Sequence, residues 1–306
     1  MNRFAKFSWM VLAWTILVIL WGTVVRASGS GAGCGNHWPS CNGEIIPTPQ
    51  RIQTLIEFAH RLMSGMDMLL VFALFIWGLR TFPAKSHQRI GFIGSFAFII
   101  IEALLGAGLV LFELVEKNSS VFRAVAVSLH LLNTFILLAF LSLNAWWASG
   151  GLPPALRANR RLSLMFFSCL VGVAIIGMSG AITALGDTLF PSSSIGQTFA
   201  EQSIPGAHFL IQLRIYHPII AILVGVFSLY FVRHVYQQSK DQTTQRLSLI
   251  VGGLILAQWV AGITNVFLLA PIFMQVIHLL LADSVWVSFV ILAGHSLSNS
   301  GNKEGS

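Results

Sequence analysis

The chain has 306 residues, of which 55% are hydrophobic and only 9% charged, where an ordinary soluble domain carries roughly a quarter charged. With a mean hydropathy of +0.77, this composition excludes a soluble enzyme, a disordered chain and a fibrous protein, and leaves a polytopic membrane protein with little mass outside the bilayer. The net charge of +7 does not point to nucleic acid, because the basic residues sit in short loops between apolar runs and form no stripe.

From the N-terminus, the first apolar run covers 8–27 and closes near Arg26. It is too long for a cleaved signal, and no transit-type segment precedes it. The loop GSGAGCGNHWPSCNG (29–43) holds Cys34 and Cys41 with six residues between them. A disulfide is the favoured reading; a metal site using Cys34, His37 and Cys41 is the alternative, and it lacks a fourth ligand. The second run, 55–79, opens with Glu57, His60 and Arg61, and carries Asp67 two turns deeper. Spacings of three and four put Glu57 on one helix face with both neighbours. The carboxylate either pairs with Arg61 or acts as a base beside something bound at His60. The third run, 90–112, contains Glu102, and the fourth, 122–147, contains Arg123 and His130. The fifth, 162–185, contains Cys169, which reads as packing. The sixth, 208–232, contains Arg214 and His217, with His208 out of phase and facing away. The seventh, 247–269, and the eighth, 272–294, are separated only by a tight break near Pro271, and the eighth carries His278 and Asp283.

Each run is near the roughly 20 residues that a spanning helix needs, and no alternating β-barrel pattern occurs, so helices are the way to satisfy the backbone in lipid. Twelve Lys and Arg residues fall on one side (Arg3, Lys6, Arg80, Lys85, Arg89, Arg157, Arg160, Arg161, Arg233, Lys240, Arg246, Lys303) and six on the other. The richer side is expected to be cytoplasmic, which puts both termini inside and the cysteine loop outside. Trp77, Trp146 and Trp147 fall at inner helix ends, as an aromatic belt requires.

The halves echo each other. GTVVRASGSG (22–31) aligns with GAITALGD (180–187), FAHRLMSG (58–65) with IYHPIIAILVG (215–225), EALLGAGLVLF (102–112) with QWVAGITNVFL (258–268), and LHLLNTF (129–135) with IHLLLAD (277–283). The expected fold is therefore an all-α integral membrane protein of eight transmembrane helices. They form two tandem four-helix bundles, 1–150 and 151–306, related by a pseudo-twofold repeat. An even number of helices per unit gives both the same orientation, unlike inverted transporter repeats.

Four of the nine histidines lie inside apolar runs: His60, His130, His217 and His278. They occupy the second and fourth helices of each half, in the outer part of the helix. An ionisable residue in the membrane is a functional candidate by default. A single one reads equally well as an interhelical hydrogen bond; four at matched depth in repeat-related pairs do not. Two facing histidines in a bundle suit bis-imidazole ligation of a haem iron, whereas zinc wants three or four protein ligands. His37, His87, His208, His234 and His295 read as ordinary. At the offset of 157 that relates the histidines, Glu57 meets Arg214 and Arg61 meets Pro218. A carboxylate at one site only suggests one reactive site and one electron-holding site. Arg26, Arg123 and Arg214 at outer helix ends read either as haem-propionate partners or as headgroup anchors. Asp67, Glu102 and Asp283 read as proton carriers or, more simply, as neutral interhelical hydrogen-bonding acids.

Eight spans in two halves, Glu57 with His60, then His130, His217 and His278, and the Cys34–Cys41 loop resemble bacterial haem A synthase over nearly the whole chain. The resemblance implies oxidation of the C8 methyl of haem O to a formyl group, by successive hydroxylations, giving haem A for terminal oxidases. It implies a haem b cofactor on His217 and His278, the haem O substrate near His60 and His130, a functional glutamate at Glu57 and an outer-loop disulfide between Cys34 and Cys41. Some members carry a second cysteine pair between the fifth and sixth helices; GDTLFPSSSIGQTF (186–199) has none. Haem O synthase and an unidentified electron acceptor are the expected partners, together with the lipid bilayer and no nucleic acid. The rivals are a di-haem b membrane electron carrier, which does not need Glu57 in one half only, and a haem transporter or chaperone. Haem O synthase itself is excluded by the lack of D-x-x-x-D or D-x-x-D.

Overall fold

Among the described residues, eight helices are long and apolar enough to cross a membrane. The computed structural model describes residues 1–48, 51–157, 159–202 and 204–302. The helices are α1 (Arg3–Ala27), α2 (Ile52–Thr81), α3 (His87–Leu111), α4 (Val121–Ala148), α5 (Arg160–Leu189), a short α6 (Ile195–Gln202), α7 (Phe209–Gln212), α8 (Tyr216–Gln238), α9 (Gln242–Phe267) and α10 (Ile272–Asn302).

Several helices begin outside the apolar runs because polar caps start them. Asn2, Ser120, Asn159 and Asp241 accept hydrogen bonds from the backbone N–H groups of Ala5, Arg123, Leu162 and Thr244, which satisfies donors that the first turn leaves open. Two expectations need correction. The sixth span is not one continuous helix: α7 passes through a 3-10 turn, Leu213–Ile215, into α8. Pro218 explains the tighter turn, since it offers no N–H to the carbonyl of Arg214 and its ring crowds that carbonyl. The last helix does not stop at 294 but runs to Asn302. Loss of apolar character does not end a helix, and no glycine or proline occurs between His295 and Gly301. The α9–α10 break falls where expected, at Leu269 and Ala270, both with positive φ, followed by Pro271.

Helix α1 packs against α2 and α4, and α3 against α2 and α4, so that four helices close one ring; α5, α8, α9 and α10 close a second in the same way. The rings meet along α1, α4, α5 and α10. Trp286 of α10 crosses this seam: it donates to the Phe135 carbonyl at 2.6 Å and its ring stacks on Phe135 at 4.8 Å between centres. Arg26 of α1 also bridges the seam, donating to the Ala184 carbonyl and Thr188 Oγ1 of α5 and to Gln275 Oε1 of α10. Leu62, Leu104, Phe167, Leu223 and Val260 point away from the protein and are exposed. In water these side chains would drive aggregation; in hydrocarbon they cost nothing, because lipid tails are as apolar as leucine.

Candidate functional site

In the second ring, His217 of α8 and His278 of α10 face each other with ring centres 6.4 Å apart and planes at 89°. Two imidazoles sharing one metal ion at about 2 Å per bond stand roughly 6 Å apart, centre to centre. Ser179 Oγ of α5 lies 3.0 Å from His217 Nδ1, and the Gln258 side-chain nitrogen of α9 lies 3.4 Å from His278 Nε2. In the first ring, the corresponding positions are His60 of α2 and His130 of α4. His60, His130 and His278 each keep a buried Nδ1 without a hydrogen-bond partner. Buried polar atoms are rarely left so, because each costs stability.

Each ring edge lies over a glycine of the adjacent helix. A Cβ added to Gly22 would stand 3.3 Å from His60 Cε1, and one on Gly106 3.9 Å from His130 Cε1. The corresponding distances are 3.0 Å for Gly180 and His217, and 3.1 Å for Gly262 and His278. His60, His217 and His278 thus share one device, a missing side chain that lets the imidazole lie flush against a neighbouring helix, while His130 lies near Gly106 with room to spare. Among the described residues no group of three or more His, Cys, Asp or Glu side chains gathers as a metal site. Paired imidazoles without further ligands fit a haem iron, whose macrocycle supplies the other donors.

Glu57 is buried, one turn before His60. Its Oε1 accepts from the Arg61 guanidinium and its Oε2 accepts from the Cys34 N–H at 2.8 Å. Arg61 also donates to the carbonyls of His37 and Ser40, and Thr54 Oγ1 donates to the Gly33 carbonyl. Cys34 and Cys41 form a disulfide, which removes the alternative of a metal site with His37. Gly33 sits so close to the start of α2 that a Cβ there would run into the Gln53 carbonyl. The loop is therefore seated on α2 by backbone contact, with Glu57 as the clamp.

The second ring reverses this charge pattern. Arg214, at the repeat position of Glu57, is buried, pairs with Asp187 at 2.9 Å and donates to the carbonyls of Gly186 and Phe190. Arg123 donates to the carbonyls of Glu116 and Asn118, while its Nε keeps no partner. All three arginines considered as propionate or headgroup contacts thus spend donors on the protein's own loop and helix ends.

The COX15–CtaA family model, described as cytochrome oxidase assembly protein, matches residues 5–290. A haem A synthase of Halalkalibacterium halodurans is 30% identical over 89% of this chain and 90% of its own length. One from Bacillus cereus is 26% identical over 100% of this chain and 98% of its own. The chain belongs to the haem A synthase family. A protein of Thermus thermophilus named protoheme IX farnesyltransferase is 48% identical over 97% of this chain, which spans only 49% of that relative's length.

Within this family frame, the remaining polar residues sort by contact. Asp67 accepts from Thr15 Oγ1 at 2.8 Å. Glu102 of α3 is held by Asn133 and Thr134 of α4 and lies 3.5 Å from His130 Nδ1. Asp283 is fully buried, with neither carboxylate oxygen hydrogen-bonded. His208 caps α7 and stacks on Phe190 and Phe209, and His295 pairs with Asp241. Sequence reasoning missed the glycine cradle and the partners of the ring nitrogens. A signal existed: the repeat alignment puts Gly22 with Gly180, Gly106 with Gly262, and Glu102 with Gln258.

Proposed function

We propose that this chain is a haem A synthase that oxidises the C8 methyl of haem O to a formyl group. The supporting observation is two membrane-embedded histidines per ring, three of the four seated tightly against a glycine, with the buried Glu57 beside the first pair only. His60 and His130 would hold the substrate haem O, and His217 and His278 would hold haem b. Haem b held there would supply one-electron chemistry, linking the substrate site to an acceptor outside the chain. Glu57 acts as the catalytic proton acceptor as the methyl is oxidised; the reaction must shed protons as well as electrons, and this carboxylate lies one turn from His60. Arg123, with its free Nε, is the best placed of Arg26, Arg123 and Arg214 to meet a propionate. The protein resides in the bacterial cell membrane with the disulfide loop on the extracytoplasmic side, as the loop charges predict.

Haem O is insoluble, so direct hand-over from a haem O synthase is expected. The Thermus relative supports this partner: a polypeptide about twice this chain's length, bearing a farnesyltransferase name, contains the counterpart of this chain. The second reading is a di-haem b electron carrier. The engagement of Glu57 by Arg61 and Cys34 favours it, because a purely structural glutamate would look the same. Mass spectrometry of pigment extracted from protein made in haem O-producing cells separates them. Haem b together with haem O, haem A or a hydroxylated intermediate is the result expected of the synthase. Haem b alone, filling both sites, would make the protein a carrier.

A further inference from the structure

The two histidine sites differ in what stands behind the ligands. Behind His130 stands a carboxylate. Glu102 Oε1 lies 3.5 Å from His130 Nδ1, an ion-pair separation rather than a formed hydrogen bond, and that buried nitrogen has no hydrogen-bond partner. The carboxylate is itself fixed on the helix that carries His130: Thr134 donates to Oε1, Asn133 donates to Oε2, and Asn133 also donates to the Phe98 carbonyl of α3. Behind the other pair only neutral groups stand. Ser179 Oγ meets His217 Nδ1 at 3.0 Å, and Gln258, at the repeat position of Glu102, meets His278 through Nε2 at 3.4 Å, leaving His278 Nδ1 as the unpartnered nitrogen of that ring.

We propose that Glu102 is a positioning residue of the first site: its carboxylate holds His130 by Nδ1, presents Nε2 to the substrate's iron, and makes that imidazole a stronger donor than either ligand of the second site. The inference rests on the proposed function, since it takes His130 to be a haem ligand. The physical ground is general. A carboxylate accepting the second ring N–H of a metal-bound histidine fixes its tautomer and orientation and raises its basicity. A more basic ligand favours the ferric state, so the first site has the lower midpoint potential. Electrons then run downhill from the substrate haem to haem b, and the single exchange of glutamate for glutamine between repeats sets the direction.

The test is an optical redox titration of the full chain, purified in detergent from haem O-producing cells. The two haems are assigned by comparison with His130→Ala and His278→Ala proteins. Glu102→Gln is expected to raise the potential of the first-site haem, leave the second unchanged, and weaken first-site haem retention roughly 10- to 100-fold. Gln258→Glu is expected to lower the second-site potential, and it decides the matter if Glu102→Gln does not fold. An unchanged first-site potential in folded Glu102→Gln, an equal shift of both haems, or an unmoved second-site potential in Gln258→Glu overturns the inference while leaving the synthase reading intact. Wild-type protein that binds haem only through His217 and His278 overturns both.

Discussion

Oε2 of Glu57 accepts the backbone N–H of Cys34 at 2.8 Å. This bond joins a disulfide-closed loop to the helix turn that carries His60. The same carboxylate faces Arg61, whose guanidinium reaches back to two loop carbonyls. Loop, glutamate and histidine therefore form one mechanical unit. A change in the protonation of Glu57 weakens the loop's seat, and loosening the loop frees Glu57.

Glu57→Gln separates clamp from base. The amide oxygen still accepts from Cys34, while the negative charge is lost. Both haems are expected to remain bound, with the product stalled at haem O or a partly oxidised species. Extracted-pigment analysis of the variant reads this directly, and a normal haem A yield would exclude Glu57 as the proton acceptor.

Breaking the disulfide tests the unit from the loop side. Cys34 and Cys41 are separated by seven positions, and closing so short a loop is worth about 2–3 kcal/mol in the chain-entropy picture. Cys34→Ser combined with Cys41→Ser should lower the unfolding temperature and should loosen haem held by His60 and His130 more than haem held by His217 and His278. Reductant should do the same to the wild type and nothing to the double variant. A first-site haem indifferent to both treatments would mean that the loop is a mere cover.

The spans, the histidine pairs and the loop cysteines were legible in the sequence because each rests on composition or local spacing. The contacts of Arg26, Arg123 and Arg214 were not, because five of their acceptors are backbone carbonyls and two more, Thr188 and Gln275, sit on helices distant in sequence. A carbonyl carries no sequence signal. The approach of Glu102 to His130 depends on how α3 is rotated and raised against α4, and the hydrophobic pattern of an almost wholly apolar helix does not fix that rotation. The break before α8 was visible as Pro218, but the unbroken apolar run masked it.

The glycine cradles predict a graded series. Overpacking typically costs roughly 1–3 kcal/mol, and the cost should follow the room left for a methyl group. Gly180→Ala and Gly262→Ala, where the Cβ would stand 3.0 and 3.1 Å from an imidazole carbon, should push His217 or His278 aside and lower haem b content. Gly22→Ala, at 3.3 Å, should act more weakly on the first site, and Gly106→Ala, at 3.9 Å, should behave as wild type. The haem-to-protein ratio of each variant measures this. Equal losses at Gly106 and Gly180 would mean that the glycines serve helix approach in general rather than ligand placement.

At the opposite end of the helices from the disulfide loop, Asp241 caps α9 and pins it to the end of α10. Its Oδ2 accepts from the Thr244 N–H at 2.7 Å and from Thr244 Oγ1 at 2.9 Å, and lies 2.8 Å from His295 Nε2. Burial is the largest single influence and opposes ionisation, but the hydrogen bonds from Thr244 and His295 together outweigh it and hold the carboxyl at about 2, below its ordinary 3.8. A folded-state value below the unfolded one contributes stability that is present above the ordinary value and lost as pH falls toward the depressed one. The wild type should therefore lose stability between about pH 4 and pH 2 through this group. The carboxylate is 40% exposed, so the effect is small. Asp241→Asn keeps a good cap and removes the titration, so its thermal unfolding in detergent should be flatter over that window. Asp241→Ala, which loses the cap as well, should cost about 1 kcal/mol at neutral pH. If wild type and Asp241→Asn fall with the same acid slope, the pairing with His295 contributes nothing to folding, and the two helix ends are held by packing alone.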